Sequence, residues 1–81
     1  MPHLEQVRTI LSDTLGIATL HLDANSALLG SVPELDSMAV IGLITALEQH
    51  YGFEVRDDEI NARHFSTLGS LTSFVSEKLA Q

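Results

Sequence analysis

Apolar residues recur at helical spacing in three stretches of this chain, and that periodicity limits the fold more than any other feature. In the first stretch Leu4, Val7, Ile10, Leu11 and Leu15 fall on one face, with Glu5, Arg8, Thr9 and Ser12 between them. This predicts an amphipathic helix over 3–15. Pro2 suits its first turn, and Gly16 suits its end, because glycine accepts the left-handed conformation that closes many helices. In the second stretch Val40, Leu43, Ile44, Leu47 and Tyr51 form a stripe with Ile41 beside it, predicting a helix over 37–51 that Gly52 ends. In the third, Leu68, Leu71, Phe74, Val75 and Leu79 share a face behind the N-cap candidates Ser66 and Thr67, with Lys78 near the negative end of the dipole. A helix over 67–80 follows. Asp57-Asp58-Glu59-Ile60 reads as a short helix over 57–62, its acids at the favourable, positive end. Phe53-Glu54-Val55 can be locally extended, but no alternation of period two outlasts a few residues. The expected fold class is therefore all-α, a small four-helix bundle of three main helices and one short one.

What remains is a long first loop between Gly16 and Ser37. Asp23, Asn25, Ser26, Gly30, Ser31 and Pro33 give it a loop composition, while Leu20, Leu22, Leu28 and Leu29 offer apolar anchors to a core. A chain of 81 residues hides only about 60–65% of its unfolded surface, so the core is thin. With no repeat and no boundary between compositions, residues 1–81 read as one domain. Because the chain opens on a methionine and closes just after the last expected helix, the expectation is a free-standing protein.

Eleven acids against Arg8, Arg56, Arg63 and Lys78 give a formal net charge of −7. Such a surface repels nucleic-acid backbones and anionic membranes and favours partners with basic docking faces. Glu34, Asp36, Glu48, Glu54, Asp57, Asp58 and Glu59 crowd the middle of the chain, opposed there only by Arg56. There is no cysteine, so any thiol chemistry must be imported. The start Met1-Pro2-His3-Leu4-Glu5 lacks the regions of a secretory signal. The longest mostly apolar run, Met38 to Leu47, is too short to cross a bilayer core of about 30 Å as a helix. The expectation is a cytoplasmic monomer without membrane insertion.

Asp36-Ser37-Met38 stands where the second helix begins. Asp and Ser are preferred N-caps, and taken without context such a pair merely caps its helix. A hydrolase is a poor alternative. Ser37, a histidine and Asp36 supply the residue types, but there is no Gly-x-Ser-x-Gly elbow and little chain left to wall off a cleft. His3, His21, His50 and His64 show no metal-ligand spacing, so neither a catalytic set nor a metal site is expected.

In its whole layout the chain resembles the acyl carrier protein family. A first helix, a long loop, Asp36-Ser37 plus a large apolar Met38 opening the second helix, then a short third helix and a fourth, cover essentially all of it. Ala46-Leu47-Glu48, Tyr51, Val55 and Thr67-Leu68-Gly69 add matching details. The resemblance implies that Ser37 carries a covalent 4′-phosphopantetheine moved from coenzyme A by a phosphopantetheinyl transferase. It implies that Asp36 helps to hold Mg²⁺ in the transferase complex, a hard cation suited to a carboxylate. The chain would then bear acyl or aminoacyl groups as thioesters for acyl-loading and acyl-processing enzymes, and would itself catalyse nothing. Physical chemistry agrees with the placement: unpaired N–H groups and the positive dipole end at a helix N-terminus stabilise a phosphodiester anion. Family members shelter the acyl group between their second, third and fourth helices, and the resemblance implies that Leu47, Val55, Ile60, Phe65 and Leu68 would converge there in this chain. Those residues are also what a core needs.

The chain departs from the family pattern in ways that bear on partners. Leu35 and Glu34, after Pro33, replace a small residue and a glycine, and Met38 replaces the more usual leucine. Ala39, Gly42 and Thr45 leave the outward face of the second helix nearly neutral, which shifts docking toward its ends. The surface expected to meet partners comprises Glu34, Met38, Ile41, Glu48, Asp57, Asp58 and Glu59. Asn61-Ala62-Arg63-His64 lengthens the link to the last helix. Together these departures point to a specialised carrier rather than a housekeeping one for fatty acids. The competing reading is an unmodified, carrier-like interaction module in which Ser37 is only a cap.

Overall fold

A computed structural model describes residues 3–80. Three α-helices form where the periodicity places them: α1 over Leu4–Leu15, α2 over Ser37–Tyr51 and α3 over Leu68–Leu79. His3 occupies the N-cap of α1 without a side-chain cap bond, and Pro2, expected in the first turn, lies outside the described residues. Gly16 (φ 67°) and Gly52 (φ 77°) close α1 and α2 in the left-handed region that their lack of Cβ allows. Of the two N-cap candidates for α3, Thr67 takes the role. Its hydroxyl accepts from the Ser70 N–H, and the Ser70 hydroxyl accepts from the Thr67 N–H, both at 3.0 Å. Ser66 ends the preceding turn instead.

The short helix expected over 57–62 is two 3₁₀ turns, Asp57–Glu59 and Ala62–Phe65. Ile60 and Asn61 between them are extended. The Asn61 side chain accepts from the Arg63 N–H at 2.9 Å, a cap that starts a new turn where one continuous helix was expected. Phe53–Val55 forms no strand, and an isolated bridge between Ala27 and Thr67 is the β pairing found among the described residues.

The core draws Val7, Ile10 and Leu11 from α1, Leu43, Ile44 and Leu47 from α2, and Leu68, Leu71 and Val75 from α3. Phe65 joins them from the second 3₁₀ turn. The long loop contributes Leu22, Leu28 and Leu35, each at most 8% exposed. Burying such a side chain is worth about 1.5–3 kcal/mol over leaving it in water, enough to fix a loop that has no regular structure. Not every expected anchor serves: Leu20 is 91% exposed and Leu29 42%. Leu79, expected to face inward, lies in the last turn of α3 and is 38% exposed.

Backbone hydrogen bonds complete the pinning. Leu28 and Leu29 donate to the carbonyls of Ser66 and Phe65, while Leu68 and Gly69 donate back to those of Ser26 and Ala24, all within 2.8–3.0 Å. On the other side, Arg8 Nη1 donates to the Leu22 carbonyl and the Thr19 hydroxyl to that of Arg8. The loop is thereby strapped to α3 and α1, and its end delivers residues 35–37 to the start of α2. Among the described residues no helix is long and apolar enough to cross a membrane.

Candidate functional site

The site begins one residue before α2. Leu35, the bulky departure from the family pattern, is 4% exposed, and its N–H donates to the Val32 carbonyl at 3.0 Å. Its bulk is an anchor that fixes the chain just ahead of Asp36. Asp36 is extended (φ −101°, ψ −175°) and forms the N-cap, Oδ1 accepting from the Ala39 N–H at 2.9 Å. Capping therefore belongs to Asp36. Ser37 follows as the first helical residue, exposed, with its side chain taking no part in the cap. The helix cannot satisfy the N–H groups of its own first turn, so Ser37 sits at a positive, donor-rich end.

Beside it runs an open groove of about 610 Å³ lined by Leu29, Asp36, Ser37, Val40, Ile41, Asp57 and Ile60. Its lining combines apolar side chains of α2 and the loop and that of Ile60, which follows the first 3₁₀ turn, with the carboxylates of Asp36 and Asp57. Of the residues expected to shelter cargo, Ile60 lines this groove. Leu47, Phe65 and Leu68 lie in the closed core at 0–2% exposure, and Val55 is half-buried against it. Leu29 and Val40 line the groove without having been expected at the site from the sequence. Val40 was visible as part of the α2 stripe, whereas Leu29 comes from 8 positions before Ser37 through the loop's path, which no periodicity encodes.

The residues expected to meet partners divide into two groups. Met38 is 75% exposed and Ile41 57%, and Glu34, Asp57 and Asp58 are exposed. Glu48 and Glu59 are half-buried and engaged inside the molecule. Glu48 Oε2 accepts from the Val55 N–H at 2.8 Å, tying the segment after Gly52 back onto α2. Glu59 Oε1 accepts from the Arg56 N–H at 3.0 Å, and both its oxygens accept from Lys78 Nζ at 2.9 Å. Ala39, placed on the outward face from the sequence, is half-buried and packs against the core, while Gly42 and Thr45 are exposed. Among the described residues no group of His, Asp and Glu is arranged to hold a metal ion.

The Arg56 N–H, and after it the Lys78 ammonium, hold the Glu59 carboxyl below its ordinary 4.5. A carboxyl with a depressed folded value stabilises the fold above the unfolded value and loses that contribution as pH falls through the folded one. Glu59→Gln is therefore expected to melt below the parent at pH 7, and the two melting curves are expected to converge below pH 4.5 as Glu59 protonates. Thermal melts over that acid range check it, and a constant gap at all pH values would show the charge to be irrelevant.

Residues 5–75 match the family described as phosphopantetheine attachment site. An acyl carrier protein of Guillardia theta is 35% identical, covering 94% of this chain and 90% of that one. One from Clostridium acetobutylicum is 30% identical, with 88% of each covered. Among solved structures, a holo acyl carrier protein from Nitrosomonas europaea superimposes with a TM-score of 0.91 at 57% identity over the whole of both chains. A holo acyl carrier protein from Geobacter metallireducens does so with a TM-score of 0.79 at 25% identity, covering 99% of this chain and 88% of that one.

Proposed function

The chain belongs to the acyl carrier proteins of the phosphopantetheine attachment family, and from that premise we propose that Ser37 is the residue to which its prosthetic group is joined. A member of this family is a carrier rather than an enzyme, and 4′-phosphopantetheine is its prosthetic group. The observation that carries the assignment is the division of labour at the start of α2: Asp36 caps the helix, so the exposed Ser37 hydroxyl is left for chemistry.

The residues present fit the group. The Ser37 hydroxyl bonds to phosphorus as the pyrophosphate link of coenzyme A breaks, its proton passing to a base of the transferase while adenosine 3′,5′-bisphosphate leaves. First-turn N–H groups of α2 favour the phosphodiester anion so formed. Leu29, Val40, Ile41 and Ile60 offer apolar walls beside it. Once attached, the group supplies a flexible arm ending in a thiol, on which acyl or aminoacyl cargo is held as a thioester. Asp36 Oδ1 is committed to the cap, which leaves one carboxylate oxygen for the Mg²⁺ of the transferase complex.

Residues 1–81 act in this reading as one cytoplasmic, monomeric domain. It serves a transferase and then acyl-loading and acyl-processing enzymes of a specialised pathway, since exposed Gly42, Thr45 and Gln49 leave the outer face of α2 uncharged. Coexpression with a broad phosphopantetheinyl transferase tests the assignment: intact mass should rise by one phosphopantetheine, mapped by peptide fragmentation to Ser37. No gain with several transferases would favour the unmodified interaction module.

Asp36 can be tested separately, because its two jobs respond to different substitutions. Asp36→Asn keeps a side-chain oxygen for the Ala39 N–H and should melt within a few tenths of a kcal/mol of the parent. It loses the charge that faces the metal, and its rate of modification is expected to fall by roughly 10- to 100-fold, the range seen when metal-site partners are removed. Asp36→Ala should show the same kinetic loss plus about 1 kcal/mol of destabilisation. Modification of Asp36→Asn at the parent rate would remove the metal role.

A further inference from the structure

One wall of the groove beside Ser37 is held differently from the rest of the molecule. Val55 is half-buried and Phe65 is 2% exposed, but no residue from Arg56 to His64 is buried. Asp57 and Ile60 of this span face the groove across from Val40 and Ile41. Its local bonds are those of 3₁₀ turns, Glu59 N–H to the Arg56 carbonyl at 3.0 Å and Ile60 N–H to that of Asp57 at 3.2 Å. Such geometry is poorer than that of an α-helix. Apolar burial therefore contributes little to where this wall stands.

Its ties to α3 are specific. The His64 ring stacks on Phe74 with centroids 4.4 Å apart, and the Glu59 carboxylate takes both of its bonds to Lys78 at 2.9 Å. The Lys78 side chain is only 8% exposed and that of Glu59 25%. A lysine is seldom so covered unless it is paired. Glu59 also accepts from the Arg56 N–H, so the same carboxylate ties the residue that leads into the wall to the last turn of α3.

We propose that Lys78, acting through Glu59, is a positioning residue that holds the Asp57–Ile60 wall over the groove and so sets how well cargo on the Ser37 arm is shielded from solvent. This rests on the carrier reading. Lys78→Met keeps the aliphatic stem and removes the charged donor, leaving the wall attached mainly through its ends. Lys78→Arg keeps a charged donor in reach of Glu59. An acyl chain long enough to lie beneath the wall should feel the difference, and a two-carbon group should not.

The experiment loads parent, Lys78→Met and Lys78→Arg from octanoyl-CoA and, separately, acetyl-CoA with a broad transferase. It then follows cleavage by hydroxylamine, which releases the hydroxamate and the free thiol, by mass spectrometry. Loss of a partly buried ion pair is expected to raise the octanoyl rate of Lys78→Met roughly fivefold, with Lys78→Arg and all acetyl rates within about twofold of the parent. In the unloaded proteins, amide hydrogen exchange at Glu59 and Ile60 should quicken by a similar factor in Lys78→Met, while Leu11 and Leu43 keep the parent rate. Equal acceleration of both cargoes, faster exchange throughout the helices, or an unchanged octanoyl rate in a normally loaded variant would each overturn the proposal. A parent chain that takes up no arm would instead sink the carrier reading. Hydrogen exchange, which needs no arm, would still decide whether Lys78 holds the wall.

Discussion

Ser37→Ala protein is expected to fold like the parent and to gain no mass at all when coexpressed with a transferase that modifies the parent. Both halves of that result follow from the start of α2. Ser37 is exposed, and the cap is made by Asp36 Oδ1, so removing the hydroxyl breaks no bond that holds the helix. Alanine is at least as good a helix former, and the change in stability should stay within about 0.5 kcal/mol. For a domain of this size that is a shift of roughly 2–4 °C in melting temperature. The chemistry has no such tolerance, because the phosphodiester needs an oxygen on that side chain. Circular dichroism with intact mass therefore separates the possibilities cleanly. A folded Ser37→Ala that still gains one phosphopantetheine would move the attachment elsewhere. A variant that unfolds would show the hydroxyl to be structural, contrary to its exposure.

How much of this was legible beforehand depends on how local the encoding is. The three helices are written in their own periodicity, and Gly16, Gly52 and Thr67 mark their ends within the segments they close. Asp36 and Ser37 were legible for the same reason: cap and neighbour act within one turn. The groove and the engaged acids were not. Glu48 reads as a surface charge until the turn at Gly52 brings the Val55 N–H onto it. Glu59 reads as another until the packing of α3 brings Lys78 within 2.9 Å. The short helix failed for a related reason. Its acidic start is a good local signal, but three residues of 3₁₀ turn end at Ile60 because Asn61 caps the next turn and Phe65 must enter the core. Leu20 and Leu22 are two residues apart with the same side chain, yet one is 91% exposed and the other 8%, and the path of an irregular loop decides which.

That path is what Gly69→Ala is expected to disrupt, by about 2–3 kcal/mol. A Cβ at position 69 would stand 2.6 Å from the Ala24 carbonyl oxygen and 3.3 Å from its carbon, a contact with backbone that no rotamer change relieves. The same carbonyl accepts from the Gly69 N–H at 2.8 Å, so the loop cannot retreat without giving up that bond. Overpacking of this kind costs about 1–3 kcal/mol, and a lost hydrogen bond about 1 more. The better helix propensity of alanine returns less than about 1, since residue 69 lies in the first turn of α3. Against a total of roughly 4–12 kcal/mol for a chain of this length, the loss is large, and it corresponds to a melting temperature lower by about 10–20 °C. The consequence reaches the site, because the bonded stretch from Ala24 to Leu29 that Gly69 helps to lock also places Leu29 against the groove beside Ser37. Amide exchange in Leu28 and Leu29 should therefore quicken more than in α1, and Gly69→Ser should behave like Gly69→Ala because its Cβ meets the same carbonyl. A variant as stable as the parent would mean that the loop has room to step back from α3, and the close approach of these two backbones would then have no part in holding the site.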